Sequence, residues 1–109
     1  MRYLGGKHRL AKHILPIILK NRKEGQYYVE PFLGAANTFC KVQDPKIGSD
    51  NNKYLIAMWM ALQEGWEPPS EVPEELYIYV NNNKEENLPL TAFVGFGCSF
   101  SGKFFGGVC

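Results

Sequence analysis

Between Tyr27 and Phe39 the chain reads Tyr-Tyr-Val-Glu-Pro-Phe-Leu-Gly-Ala-Ala-Asn-Thr-Phe, and no other stretch restricts the fold as much. A run of aromatic and β-branched residues (Tyr27, Tyr28, Val29) stops at Glu30, and Pro31 has no N–H with which to continue a ladder. The pattern predicts a buried strand that ends in a sharp turn. Gly34, Ala35 and Ala36 then allow a backbone or a ligand to come close, and a helical period resumes through Phe39 and Cys40. The predicted unit is strand, acidic tight loop, helix. Doubly wound α/β folds bind adenosine-containing ligands at such connections. An ordinary βα turn without a ligand is the competing reading of this segment taken alone.

A second strand is predicted over 46–50 (Lys-Ile-Gly-Ser-Asp), placing Asp50 twenty positions after Glu30. In a βαβ unit, a carboxylate at the tip of the next strand lies beside the first loop, where it can accept both ribose hydroxyl hydrogens of an adenosine. Alternatively Asp50, followed by Asn51 and Asn52, caps the next helix. That helix is predicted from Asn52 to Glu64, with Leu55, Ile56, Trp59 and Leu62 as its packing face, Met58 and Met60 broadening it, and Gly65 closing it.

Upstream, Tyr3-Leu4-Gly5-Gly6-Lys7 sets an aromatic and two glycines before a helical stripe of Leu10, Ile14, Ile17 and Ile18, which Pro16 should kink or restart. Glycines ahead of a helix make an anion-receptive loop, and Lys7 adds a charge there; an exposed structural lysine is the plainer reading. The segment is not a P-loop, because His8 follows the lysine and no strand precedes it. Downstream, 66–73 reads as an exposed linker, 74–80 as a short helix, and 89–96 as a helix opened by Pro89. The Gly-rich loop after it interleaves aromatics with Ser and Lys. Such a loop can stack bases and hold phosphates, with Ser101 and Lys103 as the candidate contacts, or it can be a hydrophobic hairpin.

At 109 residues the chain has room for one domain, expected to span 1–109. No apolar run approaches the ~20 residues of a membrane span, so a cytoplasmic protein without a membrane partner is expected. Cys40, Cys98 and Cys109 lack metal-ligand spacing, which predicts reduced thiols and no metal. The net charge of +1 hides a division. Residues 1–23 carry Arg2, Lys7, Arg9, Lys12, Lys20, Arg22 and Lys23 with no acid, whereas residues 64–86 carry seven acids against Lys84 alone. A basic segment of this kind suits an anionic partner.

Three motifs stand in register: Tyr3-Leu4-Gly5-Gly6-Lys7, Val29-Glu30-Pro31-Phe32-Leu33-Gly34-Ala35, and Ser49-Asp50-Asn51-Asn52 with Leu55-Ile56. Together they resemble the D12-class (Dam-like) adenine-specific DNA methyltransferases over nearly the whole chain. The loop Ser99–Gly107 is similar to one in the compact, phage-like members. The resemblance implies a Rossmann-like fold that binds S-adenosylmethionine and methylates N6 of adenine in double-stranded DNA, in the cytoplasm of a bacterial or phage-infected cell. By the same resemblance Tyr3 would pack near the cofactor, Lys7 would face its carboxylate, and Glu30, Pro31, Phe32 and Gly34 would line its methionine and adenosine parts. Asp50 would hold the ribose. The family's catalytic tetrapeptide, Asp or Asn followed by Pro, Pro and an aromatic, is not found. The single Pro pair lies in Glu67-Pro68-Pro69-Ser70, which has neither the acceptor nor the aromatic.

The expectation is therefore an incomplete α/β fold, the N-terminal, cofactor-binding part of a methyltransferase without its catalytic half, inactive alone and with Phe93, Phe96, Phe100, Phe104 and Phe105 left exposed. A non-catalytic DNA-binding module and a different nucleotide-binding α/β enzyme are the alternatives.

Overall fold

The computed structural model describes all 109 residues, Met1–Cys109, in two compact units: Gly5–Asp50, and Asn51–Cys109 together with Met1–Leu4. No helix is long and apolar enough to cross a membrane.

The Gly5–Asp50 unit is built on two short parallel strands, β1 (Tyr28–Glu30) and β2 (Lys46–Gly48), paired Tyr28↔Lys46, Val29↔Ile47 and Glu30↔Gly48. The sheet has these two strands and no more, so the chain's architecture is α/β without a full doubly wound sheet. Before them runs α1 (Ala11–Ile18), whose first turn is fastened by the Lys7 carbonyl accepting from Leu10 N–H and Ala11 N–H. The expected interruption at Pro16 does not occur. Pro16 is exposed, where water can satisfy the carbonyl its ring leaves without a donor.

Three further expectations fail in this unit. The buried residues of α1 are Ala11 and Leu15, whereas Leu10, Ile17 and Ile18 are exposed. β1 is not a buried strand: Tyr27, Val29 and the registered Ile47 are all more than half exposed, because a two-stranded pair carries no covering layer on that face. No α-helix follows the acidic loop. Gly34 (φ 51°) and Ala36 (φ 57°) both adopt left-handed backbone, and only a 3₁₀ turn, Phe39–Lys41, forms afterwards. Burial of Leu33, Ala36, Thr38 and Val42 holds this irregular path, and their spacing is not a helical stripe.

In the other unit, α2 (Lys53–Gln63) begins where the Asn52 side chain accepts from Tyr54 N–H and Leu55 N–H. It ends at Gly65 (φ 93°), with Gly65 N–H bonded to Leu62 O and Trp66 N–H to Ala61 O, the paired bonds of a left-handed glycine stop. Leu55 and Met58 pack with Ala92 and Phe96, while Met60, expected to broaden the packing face, is 55% exposed. α3 (Glu74–Asn82) buries Tyr77 and Val80 against Val94. The segment between α2 and α3 is not simply an exposed linker, since Trp66 meets the Phe93 ring edge-on and Val72 packs against the second cluster. Lys53 and the Tyr54 hydroxyl both bond the Glu85 carboxylate, at 2.7 and 2.6 Å, and hold its carboxyl below the ordinary range.

α4 (Leu88–Ala92) is capped by the Asn87 side chain, carries Pro89 in its first turn, and continues as a π-helical turn over Phe93–Gly97. Gly95 sits in that turn because a Cβ there would lie 2.5 to 2.7 Å from the rings of Phe104 and Phe105. The five phenylalanines expected to be exposed are mostly packed: Phe96 is buried, Phe93, Phe104 and Phe105 are half-buried in the two clusters, and Phe100 alone is open at 68%. The last residues form a hairpin, with Ser99 bridged to Val108, that closes on the helices. The Gly-rich segment is thus a hairpin packed within the chain, and it leaves Ser101 and Lys103 exposed.

Tyr77 anchors it. Its hydroxyl lies 2.8 Å from Ser99 Oγ in a buried position and accepts from Gly107 N–H at 3.2 Å. Tyr77→Phe leaves both partners short of a bond and should lower unfolding free energy by about 1–3 kcal/mol. Urea denaturation measures this, and an unchanged midpoint would show that Ser99 and Gly107 find other partners.

Candidate functional site

The tips of β1 and β2 meet at their carboxyl ends, and three contacts fasten them. Ser49 N–H bonds Glu30 O at 2.9 Å, Leu33 N–H bonds Ser49 O at 2.8 Å, and Gly34 N–H bonds Asp50 Oδ2 at 2.9 Å. The Ser49 hydroxyl also reaches Pro31 O at 3.4 Å. Glu30, Pro31, Gly34 and Asp50, predicted twenty positions apart across two strands, are thus brought to one place. Asp50 is not the helix cap; Asn52 is, and the Asp50 carboxylate turns to the glycine loop instead. Phe32 stands at the same turn with its ring 85% exposed.

The Glu30 carboxylate is held by two hydroxyls. Thr38 Oγ1 lies 2.8 and 2.9 Å from its two oxygens, and the Tyr28 hydroxyl donates at 3.0 Å. Burial, and then the hydrogen bond to Glu30, push the Tyr28 hydroxyl pKa up, so Tyr28 stays a donor across the neutral range. Tyr28 is foreseeable, because residues i and i+2 of a strand share a face. Thr38 was missed. It is buried, and the fold that turns it back onto Glu30 passes through the two left-handed residues, which no local pattern announces. Lys46 completes the support by donating to Phe39 O and Val42 O while lying 4.8 Å over the Phe39 ring.

Lys7 is exposed at the turn leading into α1. Tyr3 belongs to the other unit, its ring 5.1 Å from that of Phe96. Ser101 (φ 54°) and Lys103 are exposed at the hairpin tip beside Phe100.

A polar cleft of about 350 Å³ opens at the opposite, amino ends of the strands, lined by Arg22, Lys23, Glu24, Gly25, Gln43 and Asp44. Its size does not make it the binding site. Arg22 there is engaged by the carbonyls of Gln26, Gln43 and Pro45, a structural clasp, and ligands of parallel α/β sheets bind at the carboxyl ends. No group of His, Cys, Asp and Glu is arranged to hold a metal ion.

The strand tips therefore present small residues with left-handed backbone beside a carboxylate, a setting for a ligand rich in hydroxyl donors. Comparison with known proteins gives one family: the sequence profile of the D12 class N6 adenine-specific DNA methyltransferases matches residues 3–90. No curated protein and no solved structure matches the chain.

Proposed function

Because the chain belongs to the D12 class N6 adenine-specific DNA methyltransferase family, we propose that its two strand tips hold S-adenosylmethionine and that it is the cofactor-binding portion of an enzyme methylating N6 of adenine in double-stranded DNA. The observation that carries this reading is the bond from Gly34 N–H to Asp50 Oδ2, which sets an acid directly against a small-residue loop at the carboxyl ends of parallel strands.

The residues present suit the cofactor. A carboxylate offers about four acceptor positions, and the ribose hydroxyls bond Asp50 beside the Gly34 N–H. Glu30, fixed by Thr38 and Tyr28, and the exposed Phe32 line the same turn, with Pro31 and Gly34 shaping its backbone. Lys7 neutralises the cofactor's carboxylate from the glycine turn. S-adenosylmethionine, when bound, supplies the activated methyl group. Ser101 and Lys103, with Phe100 beside them, contact the DNA from the hairpin tip, where a hydroxyl, an ammonium and an open ring suit phosphate and base. The reaction takes place in the cytoplasm.

Chemistry on adenine N6 needs the base flipped, stacked on an aromatic, and its amino group bonded by acceptors. Residues 1–109 contain no Asp/Asn-Pro-Pro-aromatic sequence to supply these. Two measurements test the proposal. Calorimetric titration of the chain with S-adenosylmethionine should show saturable binding, while labelled methyl should not pass to adenine-containing DNA. Salt-dependent DNA binding with no affinity for the cofactor would replace the proposal with a non-catalytic DNA-binding module; turnover by the chain alone would refute its catalytic incompleteness.

Lys7→Ala should raise the cofactor dissociation constant more than Lys12→Ala does. Both lysines are exposed, but Lys7 adjoins the glycine turn and Lys12 lies on α1. A surface charge contributes at most about 1 kcal/mol, so a larger loss at Lys7 marks direct contact. Equal losses in the same titration would reduce its role to general electrostatics.

A further inference from the structure

The last hairpin brings two of the three cysteines opposite each other. Ser99 and Val108 are bridge partners, and the bonds on either side of them run from Phe100 N–H to Gly107 O (2.9 Å) and from Cys109 N–H to Cys98 O (3.0 Å). This pattern makes Ser99 and Val108 a non-hydrogen-bonded pair and Cys98 and Cys109 the next pair along. The two residues share one of the two bonds of a hydrogen-bonded antiparallel pair, the Cys98 N–H going to Val94 O instead, and in such pairs the Cα atoms lie about 5.5 Å apart. A disulfide spans Cα separations of about 4.4–6.8 Å.

The surroundings of the two thiols differ. Cys109 is exposed, and Arg2 Nη1 donates to its sulfur, which sets a cation beside the more accessible of the two thiols. Cys98 is half-buried against Tyr77, Val80 and Val94. Burial, and then the neighbouring Cys109, raise the Cys98 thiol pKa, so it waits protonated. Cys40 is in the Gly5–Asp50 unit, which contains no other cysteine.

We propose that Cys98 and Cys109 are a modification site, a thiol pair that hydrogen peroxide oxidises to an intramolecular disulfide closing the 98–109 hairpin. The Cys109 thiolate attacks one peroxide oxygen; the O–O bond breaks, the sulfur is oxidised to a sulfenic acid, and the leaving hydroxide takes up a proton to become water. The Cys98 sulfur then attacks the sulfenic sulfur, the S–O bond breaks, and the hydroxyl departs with the Cys98 proton as a second water. Two thiols and one peroxide give one disulfide and two waters. The site is independent of the methyltransferase reading.

The test uses the whole chain, reduced, freed of reductant and exposed to hydrogen peroxide, then alkylated with N-ethylmaleimide and weighed. The expected result is a monomer that has lost the mass of two hydrogens and takes one adduct, at Cys40, where the reduced chain takes three. Proteolysis should yield a peptide cross-linked between Cys98 and Cys109. In Cys98→Ser, dimedone should label Cys109, and Arg2→Gln should slow cross-linking in the otherwise unchanged chain. Three adducts after peroxide, a cross-link through Cys40, or a disulfide between two chains would each overturn the proposal.

Discussion

Replacing Asp50 by alanine should raise the dissociation constant for S-adenosylmethionine about a hundredfold or more, because two charge-assisted hydrogen bonds to ribose contribute about 1.5–3 kcal/mol each. The carboxylate stands at the tip of β2, and its Oδ2 already receives Gly34 N–H at 2.9 Å. Removing it therefore has two consequences. The ligand loses its acceptors, and the glycine loop loses a fastening of roughly 1.5–3 kcal/mol, as for other bonds to a charged group. Asp50→Asn separates them, since the amide keeps an oxygen for Gly34 N–H without the charge. Calorimetry should show Asp50→Ala and Asp50→Asn both weakened toward the cofactor, with only the former lowered in melting temperature and DNA affinity nearly unchanged in both. An Asp50→Ala variant that melts earlier but binds the cofactor as before would leave Asp50 as a loop clasp alone.

The second large effect concerns Gly102. It has φ 70°, and a Cβ built there would lie 2.4 Å from Tyr3 N, 2.6 Å from Arg2 C and 2.7 Å from Tyr3 Cα. These are backbone atoms, which cannot swing aside as a side-chain end can, and Leu4 N–H bonds Gly102 O across the same contact at 3.3 Å. Gly102→Ala should cost about 1–2 kcal/mol for the left-handed backbone and about 1–3 kcal/mol for the overlap. A sum of several kcal/mol is a large share of the ~5–15 kcal/mol that holds a domain of ordinary stability. Gly65→Ala is the control: its φ is 93°, but nothing lies within 4 Å of the added carbon. The difference between the two variants in urea unfolding measures the overlap of the N-terminal segment with the hairpin. Equal losses would show that Met1–Leu4 yields readily.

The motifs legible in the sequence are those whose physics is local. The cap at Asn52 and the glycine stop at Gly65 follow from side-chain and backbone preferences within one turn, and α2 runs between them as expected. The pairing of Glu30 with Asp50 across twenty positions follows from strand, turn and strand, because Pro31 ends one ladder and two parallel strands must bring their tips together. These local rules also carry the family resemblance, since the three motifs are short and stand in register.

Tertiary structure alone decided how the segments between those motifs are covered. The stripe on α1 pointed to Leu10, Ile17 and Ile18, yet Ala11 and Leu15 are buried, because the side of a short helix that packs depends on neighbours its own sequence does not name. Val29 and Ile47 have strand-like character and still face solvent, since burial needs a layer on that face. Phe93 and Phe96 on the expected helix, and Phe104 and Phe105 in the glycine-rich loop, were expected to be exposed; Gly95, by lacking a Cβ, opens the space that admits the last two rings. Thr38 returned to Glu30, and Cys109 arrived opposite Cys98, by chain reversals of the same kind. Composition and periodicity determined which residues could bond or pack; long-range closure, paid in chain entropy and settled by close packing, chose the partners.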